Sequence, residues 1–330
     1  MKKLKVGQIG LGHNHGEGKM RAVQRFPELF EVVGYAEEDE QWIQKRSNLP
    51  CYSDLRRYDV EELIAKCDLL LVETDIWDLT AAAQKCIDAG KHIHLDKPAS
   101  GTLQEYAHLL ETAKKKDLIV QLGYMYRYNH AIRKCFELIH RGELGEIYQI
   151  DAEMSTYHSR DYREWLQHFR GGTMYVFGSH LIDLVVSLLG EPENVISLCK
   201  QTGFQNVYSD DNNFAVLEYE KAIAKITALS VEVNGWGMRR FAVMGSLGTV
   251  EIKPIELDVK MTVSTATLAK NAYSNIQDII EVPDVPASER YNEMVQDLYR
   301  FIVEHKENPY SYKHELAVQR TLYRAIGENV

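Results

Sequence analysis

The chain has 330 residues, 45% hydrophobic, 26% charged and 10% aromatic, enough for about two domains with sizeable cores and too balanced for collagen, a low-complexity array or long disorder. A formal charge of −10 argues against nucleic acid or an anionic lipid surface as partner. Five cysteines (Cys51, Cys67, Cys86, Cys135 and Cys199) are odd in number and widely spaced, with no Cys-x-x-Cys, which excludes a disulfide framework and a zinc knuckle.

The N-terminus runs from a short basic start straight into a strand and a glycine turn, without the apolar core of a signal peptide. No apolar run approaches the roughly 18 to 20 residues of a membrane span. A reducing, cytoplasmic compartment and no membrane association are therefore expected.

Residues 1 to about 123 alternate short Val/Ile/Leu-rich runs with amphipathic stretches. The runs at 6–9, 32–36, 69–72, 92–95 and 118–122 are predicted strands. A helix is predicted over 80–89, stopped by Gly90. Another opens with the capping-box pattern Thr102-x-x-Glu105 and places Leu103, Tyr106, Ala107 and Leu110 on one face. Strand–helix alternation implies a parallel sheet covered on both faces.

After about residue 145 the texture changes. Predicted strands lie at 147–155, 195–199, 214–219, 223–230, 241–244 and 249–253, with turns at Glu220-Lys221 and Gly245-Ser246-Leu247-Gly248. Helices are predicted over 172–189, 289–305 and 313–326, and Pro283 and Pro286 mark a loop before the last two. This is the pattern of an α+β domain with a mostly antiparallel sheet. The expected division is a nucleotide-binding domain over 1–123 and a substrate and assembly domain over 124–330.

The first strand is followed by Gly10-Leu11-Gly12-His13-Asn14-His15-Gly16. Gly10 permits a tight turn, and Gly12 lets backbone amides approach a pyrophosphate at a helix N-terminus. His15 stands where a third glycine or alanine is usual, so the helix is expected to sit differently or start later. Glu37 falls 25 residues beyond Gly12, at the end of the second predicted strand. A carboxylate there accepts hydrogen bonds from ribose hydroxyls and repels a 2′-phosphate, favouring NAD over NADP. The alternative is that Glu37 is one exposed acid among Glu38, Asp39 and Glu40.

Four further stretches occur in order: His92-Ile93-His94-Leu95-Asp96-Lys97-Pro98, Gly123-Tyr124-Met125-Tyr126-Arg127, Gly142-Glu143-Leu144-Gly145-Glu146-Ile147, and Gly171-Gly172 through His180-Leu181-Ile182-Asp183. With the N-terminal turn, this succession resembles the Gfo/Idh/MocA oxidoreductases, whose hallmark Glu-Lys-Pro reads Asp96-Lys97-Pro98 here. The resemblance spans the whole chain. It implies an α/β Rossmann domain binding NAD(P), then an α+β domain with a large open, mostly antiparallel sheet serving as substrate platform and oligomer interface. It also implies a sugar, polyol or cyclitol substrate and a homodimer or homotetramer.

Hydride transfer from a carbinol needs a base for the hydroxyl proton. Lys97 is the expected acid/base, because it follows a strand at the carboxyl edge of the sheet, where doubly wound folds bind ligand. Burial near a positively charged nicotinamide would lower its pKa. His180 matches the family histidine that helps bind substrate and relay the proton. Gly10, Gly12, His13, Asn14, His15, Glu37, Thr74 and Asp96 are the expected cofactor contacts. Substrate contacts are expected from Arg127, Tyr157, His158, Trp165 and Asp183; Arg127 has the alternative of tying the domains together, and Asp183 that of orienting His180. The aromatic stretch that also holds Arg160 and His168 suits sugar stacking, or a dimer contact.

The chain departs from the family pattern at Val176, where an acid usually stands four residues before the histidine. It departs again at Thr74-Asp75-Ile76-Trp77-Asp78-Leu79, in place of the family's Thr-Pro stretch. Two rival functions follow: redox-neutral elimination or glycoside cleavage with tightly held NAD, and a non-catalytic NAD or sugar sensor. His92-x-His94, with His13 and His15, raises the question of a metal, but such spacing is unspecific and none is expected. The central expectation is that Lys97 and His180 meet at the nicotinamide.

Overall fold

Short runs of apolar residues become strands where both their faces are covered, and Leu69–Val72 is the plainest case, with all four side chains buried. The computed structural model describes residues 2–269, 271–283 and 285–330. They fall into two compact units, one of Met1–Met125 with Pro286–Leu316 and one of Tyr126–Val285 with Ala317–Val330.

The first unit runs β1 (Leu4–Ile9), α1 (Gly16–Gln24), β2 (Phe30–Ala36), α2 (Glu40–Arg46), α3 (Val60–Lys66), β3 (Leu69–Val72), α4 (Leu79–Asp88), β4 (His92–Leu95), α5 (Leu103–Lys115) and β5 (Val120–Leu122). The strands form one parallel sheet in the order β2-β1-β3-β4-β5. Two of the expected strands have the observed limits and three differ at an end. The predicted capping box is present: Thr102 Oγ1 accepts the Glu105 N–H at 3.2 Å, and the Glu105 carboxylate accepts the Thr102 N–H at 2.7 Å. The apolar face of α5 buries Tyr106, Leu109, Leu110 and Ala113.

The second unit contains α6 (His130–His140), β6 (Ile147–Glu153), α7 (Arg160–Leu166), α8 (Ser179–Leu189), β7 (Asn194–Lys200), β8 (Asn212–Glu218), β9 (Ile223–Leu229), α9 (Gly235–Met238), β10 (Arg240–Gly245), β11 (Gly248–Ile252), β12 (Met261–Thr265) and β13 (Asp278–Ile280). Its eight-stranded sheet has the order β13-β12-β11-β10-β6-β9-β8-β7. Only β6 and β9 pair in parallel. One face buries Ile150, Ala152, Ala215, Leu217, Ala224 and Ile226. The other leaves Ile196, Leu198 and Ile223 exposed beside a charged ladder of Lys225, Asp151, Arg240 and Glu251.

Two features differ from the sequence reading. The helix expected over 172–189 is divided: a π-helical turn, Met174–Gly178, precedes α8. Strands β12 and β13 had no counterpart among the predicted elements, because Thr262, Ser264 and Asp278 dilute the apolar pattern. Helices α10 (Asn292–Val303) and α11 (Tyr312–Ala325) follow, and α10 groups with the parallel sheet. There Tyr299 packs edge-on to Phe30 and donates its hydroxyl to the Lys2 carbonyl at 2.8 Å. Among the described residues no helix is long and apolar enough to cross a membrane.

Candidate active site

The turn after β1 is built by close approach. Gly10 has φ +86°, and a Cβ there would lie 2.5 Å from the Thr74 backbone; one on Gly12 would lie 2.7 Å from the Asp75 nitrogen. Helix α1 starts at Gly16, later than the usual motif. A Cβ on Gly16 would meet Gln8 Nε2 at 3.0 Å and Glu73 Cβ at 3.2 Å, so Gly16 provides the close helix–strand packing that His15 cannot. No side chain caps the N-terminus of α1, which leaves its first amides to an anion.

The Glu37 carboxylate stands at this turn. It accepts the Leu11 N–H at 2.7 Å and the Glu38 and Asp39 N–H groups at 2.9 Å each. On the other side, Arg46 donates to the carbonyls of Leu11 and His13 at 2.6 Å each and to Asn14 Oδ1 at 2.9 Å. Its guanidinium lies 4.6 Å from the Trp42 ring, and Trp42 Nε1 donates to Asp75 at 2.7 Å. Arg46, Trp42 and Asp75 were not among the expected site residues. Each acts through partners about 30 residues away in sequence, which no local pattern reveals.

Beneath the turn, at the carboxyl ends of β1, β3, β4 and β5, lies a buried charged cluster. Asp96 accepts the Lys97 backbone N–H at 2.6 Å. The Lys19 ammonium sits on the Asp96 carboxylate and 3.0 Å from Glu73 Oε1. His13 Nδ1 and His15 Nδ1 approach Asp96 Oδ2 to 3.0 and 3.2 Å. Lys19, Glu73 and Asp96 are fully buried and Lys97 nearly so. Burial pushes Glu73 well above the usual carboxylate range, with Asp96 adding to the push and Lys19 opposing it. Burial also pushes Asp96 up, but the His13, Lys19 and His15 side chains outweigh it and hold it well below. Burial lowers His13, and takes His15 and His94 down to about 3. The Lys97 charge also bears on His13 and His15. The expected cofactor residues of the turn, Thr74, Asp96 and Lys97 thus share one edge of one sheet. Lys19 and Glu73 complete the cluster and were missed; both looked like ordinary positions, on an amphipathic helix and after an apolar strand.

In the second unit the Gly-Tyr-x-x-Arg stretch supplies two neighbours to α8. Tyr126 packs edge-on against His180, ring centres 4.9 Å apart, and donates its hydroxyl to Glu256. Arg239 reaches the same Glu256 oxygen at 2.8 Å and stacks over Trp236. Arg127 forms a two-pronged pair with Asp183, Nε at 3.1 and 3.0 Å and Nη2 at 2.5 Å. Arg127 and Asp183, both expected at substrate, are therefore engaged with each other. His158 stacks on Tyr162 at 4.0 Å, and Tyr162 leads on to Trp165 at 5.1 Å. Tyr157, which is exposed, has its ring centre 6.3 Å from that of Phe204. Val176, in place of the family acid, is buried within the π-turn. Arg160 and His168 are exposed, Arg160 against Glu164.

Comparison with known proteins adds a family. Residues 4–124 match the model of the oxidoreductase family's NAD-binding Rossmann fold, and residues 136–316 match its C-terminal alpha/beta domain. The chain belongs to the Gfo/Idh/MocA oxidoreductase family. Within it, an uncharacterized oxidoreductase of Schizosaccharomyces pombe is 25% identical over 76% of this chain and 70% of its own length. The scyllo-inositol 2-dehydrogenase (NADP(+)) of Bacillus subtilis is 27% identical over 41% of this chain and 36% of its own. A crystal structure of aldose-aldose oxidoreductase from Caulobacter crescentus, complexed with glycerol, shares the fold with a TM-score of 0.80 at 18% identity, covering 98% of each chain. In Gfo/Idh/MocA terms, the glycine turn and the Asp96-Lys97-Pro98 edge belong to the Rossmann part and His180 to the C-terminal part, with Tyr126 between the two matched stretches.

Proposed function

We propose that the chain is an NAD-dependent oxidoreductase acting on a hydroxyl of a sugar, polyol or cyclitol, with Lys97 as acid/base and His180 as its partner. What carries the reading is the buried lysine itself, fixed through its backbone to Asp96 at the carboxyl edge of the parallel sheet that also bears the glycine turn. The residues fit a dinucleotide: Gly10 and Gly12 leave a cradle that a Cβ would fill, α1 offers uncapped amides, and Glu37 suits ribose hydroxyls. When bound, the nicotinamide supplies the hydride acceptor.

The chain's own groups do the rest. Lys97 takes the proton of the substrate hydroxyl as the carbon loses hydride, and returns it in the reverse direction. His180, steadied by the Tyr126 ring, holds the substrate hydroxyl or passes the proton on. The names of the inositol dehydrogenase and aldose oxidoreductase relatives support the substrate class. We expect assembly as a homodimer or homotetramer through the face carrying Ile196, Leu198 and Ile223.

A panel of aldoses, polyols and cyclitols, read by NADH formation, identifies a substrate. On it, Lys97→Ala should keep NAD affinity and lose about 100-fold or more in kcat. Unchanged kcat removes Lys97 from the chemistry. Glu37→Ser should lower the preference for NAD over NADP about tenfold or more, by removing the charge that repels a 2′-phosphate. Loss of an aglycone from a glycoside without net NADH would instead favour the redox-neutral reaction.

A further inference from the structure

The buried cluster under the glycine turn holds more lone pairs than donors. Glu73 is fully buried, and neither of its oxygens accepts an aligned hydrogen bond among the described residues. Lys19 Nζ lies 3.0 Å from Oε1 and balances its charge, but without the alignment of a hydrogen bond, and Oε2 meets no donor among the described residues. His94 adds another lone pair. Its Nδ1 faces Gln121 Oε1 at 2.9 Å, and the Gln121 amide is oriented by donation from Nε2 to the Met294 carbonyl. His94 Nδ1 therefore carries the proton and Nε2 does not. That bare Nε2 is buried without a partner, 3.9 Å from Glu73 Oε1.

His13 repeats the pattern. The His15 backbone N–H points at its Nδ1 from 3.3 Å, so this nitrogen presents a lone pair. Yet it lies 3.0 Å from Asp96 Oδ2 and 3.9 Å from Glu73 Oε2. The Lys19 ammonium already lies against both carboxylates, and a proton on His15 Nδ1 answers Asp96 at 3.2 Å; the approach left unmatched is that of His13 Nδ1 to Asp96 Oδ2, which a bound cation would relieve. Nδ1 of His13, Nδ1 of His15 and a carboxylate oxygen of Asp96 all lie within 4.8 Å of one another. A tetrahedral zinc ion with bonds of about 2.1 Å sets its ligand atoms about 3.4 Å apart, close to the 3.0 and 3.2 Å found.

We propose that His13, His15 and Asp96 form a binding site for a divalent transition metal of the zinc type, with Glu73 as the nearest further carboxylate and Lys19 as a built-in competitor for the same charge. Two imidazoles and a carboxylate are borderline ligands suited to zinc or cobalt rather than to calcium or magnesium. The two histidines come from one turn, held by Arg46, and the aspartate from the end of β4, so the donors are fixed before an ion arrives. Lys19 must leave Asp96 as the metal enters. The site uses side chains that face below the turn and leaves the backbone amides to the dinucleotide, and it does not depend on the hydroxyl-oxidation reading.

The test uses the full chain without a histidine tag, stripped with chelator and titrated with Co2+ by visible absorption and with Zn2+ by calorimetry. One equivalent of each is expected, with the strong visible bands of four-coordinate cobalt. His15→Ala and Asp96→Asn should each weaken binding at least about tenfold. His92→Ala, a histidine outside the cluster, should change nothing. Lys19→Met should tighten binding. If that variant does not fold, Lys19→Gln takes its place, with the same tightening expected. Absence of stoichiometric Co2+ and Zn2+ binding, or binding that His15→Ala leaves intact, overturns the proposal.

Discussion

Two buried charge clusters, one in each unit, are arranged in opposite ways. In the second, Arg127 and Asp183 satisfy each other in a two-pronged pair, and Arg239 shares Glu256 with the Tyr126 hydroxyl. In the first, one buried ammonium, that of Lys19, answers two carboxylates, and Glu73 and His94 keep atoms unmatched. A matched pair rigidifies a helix and its neighbour. An unmatched cluster is costly to keep in low dielectric and points to a task beyond folding. Residue type alone does not draw this contrast, since both clusters bury basic and acidic side chains.

The comparison breaks most visibly at Asp183. Asp183→Ala removes both prongs from the buried Arg127 guanidinium and should cost about 3 to 5 kcal/mol, measured by chemical denaturation. The double variant Arg127→Met/Asp183→Leu should recover most of that loss, because both buried charges of the pair are then gone. A small loss for Asp183→Ala alone would mean that the pair is not the scaffold described.

His158 sharpens the contrast through pH. Its burial, with the Arg239 charge adding to it, lowers the imidazole to about 4. An unfolded histidine titrates near 6.5, so the unfolded chain takes up the proton first as pH falls. Stability from this group is complete above about 6.5 and is lost progressively toward 4. His158→Gln should flatten that part of the stability profile, by less than the roughly 1.4 kcal/mol per pH unit of one fully linked proton. Equal profiles for the two proteins would show that His158 is solvated.

The smallest effect is expected at Glu73. It accepts no aligned hydrogen bond, so Glu73→Gln should change stability by under about 1 kcal/mol, far less than Asp183→Ala. A loss comparable with that of Asp183→Ala would show that the first cluster is matched after all and would erase the distinction.

Local signals were legible in the chain. The Thr102 capping box, the glycine turn and the uniformly apolar strand at 69–72 each declare themselves within a few residues. What could not be read was whatever depends on distant partners. Lys19 meets Asp96 across 77 positions and Arg46 meets His13 across 33. The π-turn at Met174–Gly178 was hidden because its apolar residues also suit a continuous α-helix. Strands β12 and β13 were hidden by polar residues at alternate positions. For the candidate site, the motif succession nominated the turn, Lys97 and His180, while the engagement of Arg127 with Asp183 needed coordinates.

The return of Pro286–Leu316 to the first unit bears on how the protein is made. Gln121 donates to the Met294 carbonyl, and the Val120 N–H is answered by the Tyr312 hydroxyl 192 positions later. A ribosome that has just released the fifth parallel strand has therefore not yet delivered what covers it. The nucleotide-binding half is begun first and finished almost last, so a transcript cut short after residue 285 leaves that strand's edge bare and the nascent product a natural client for chaperones.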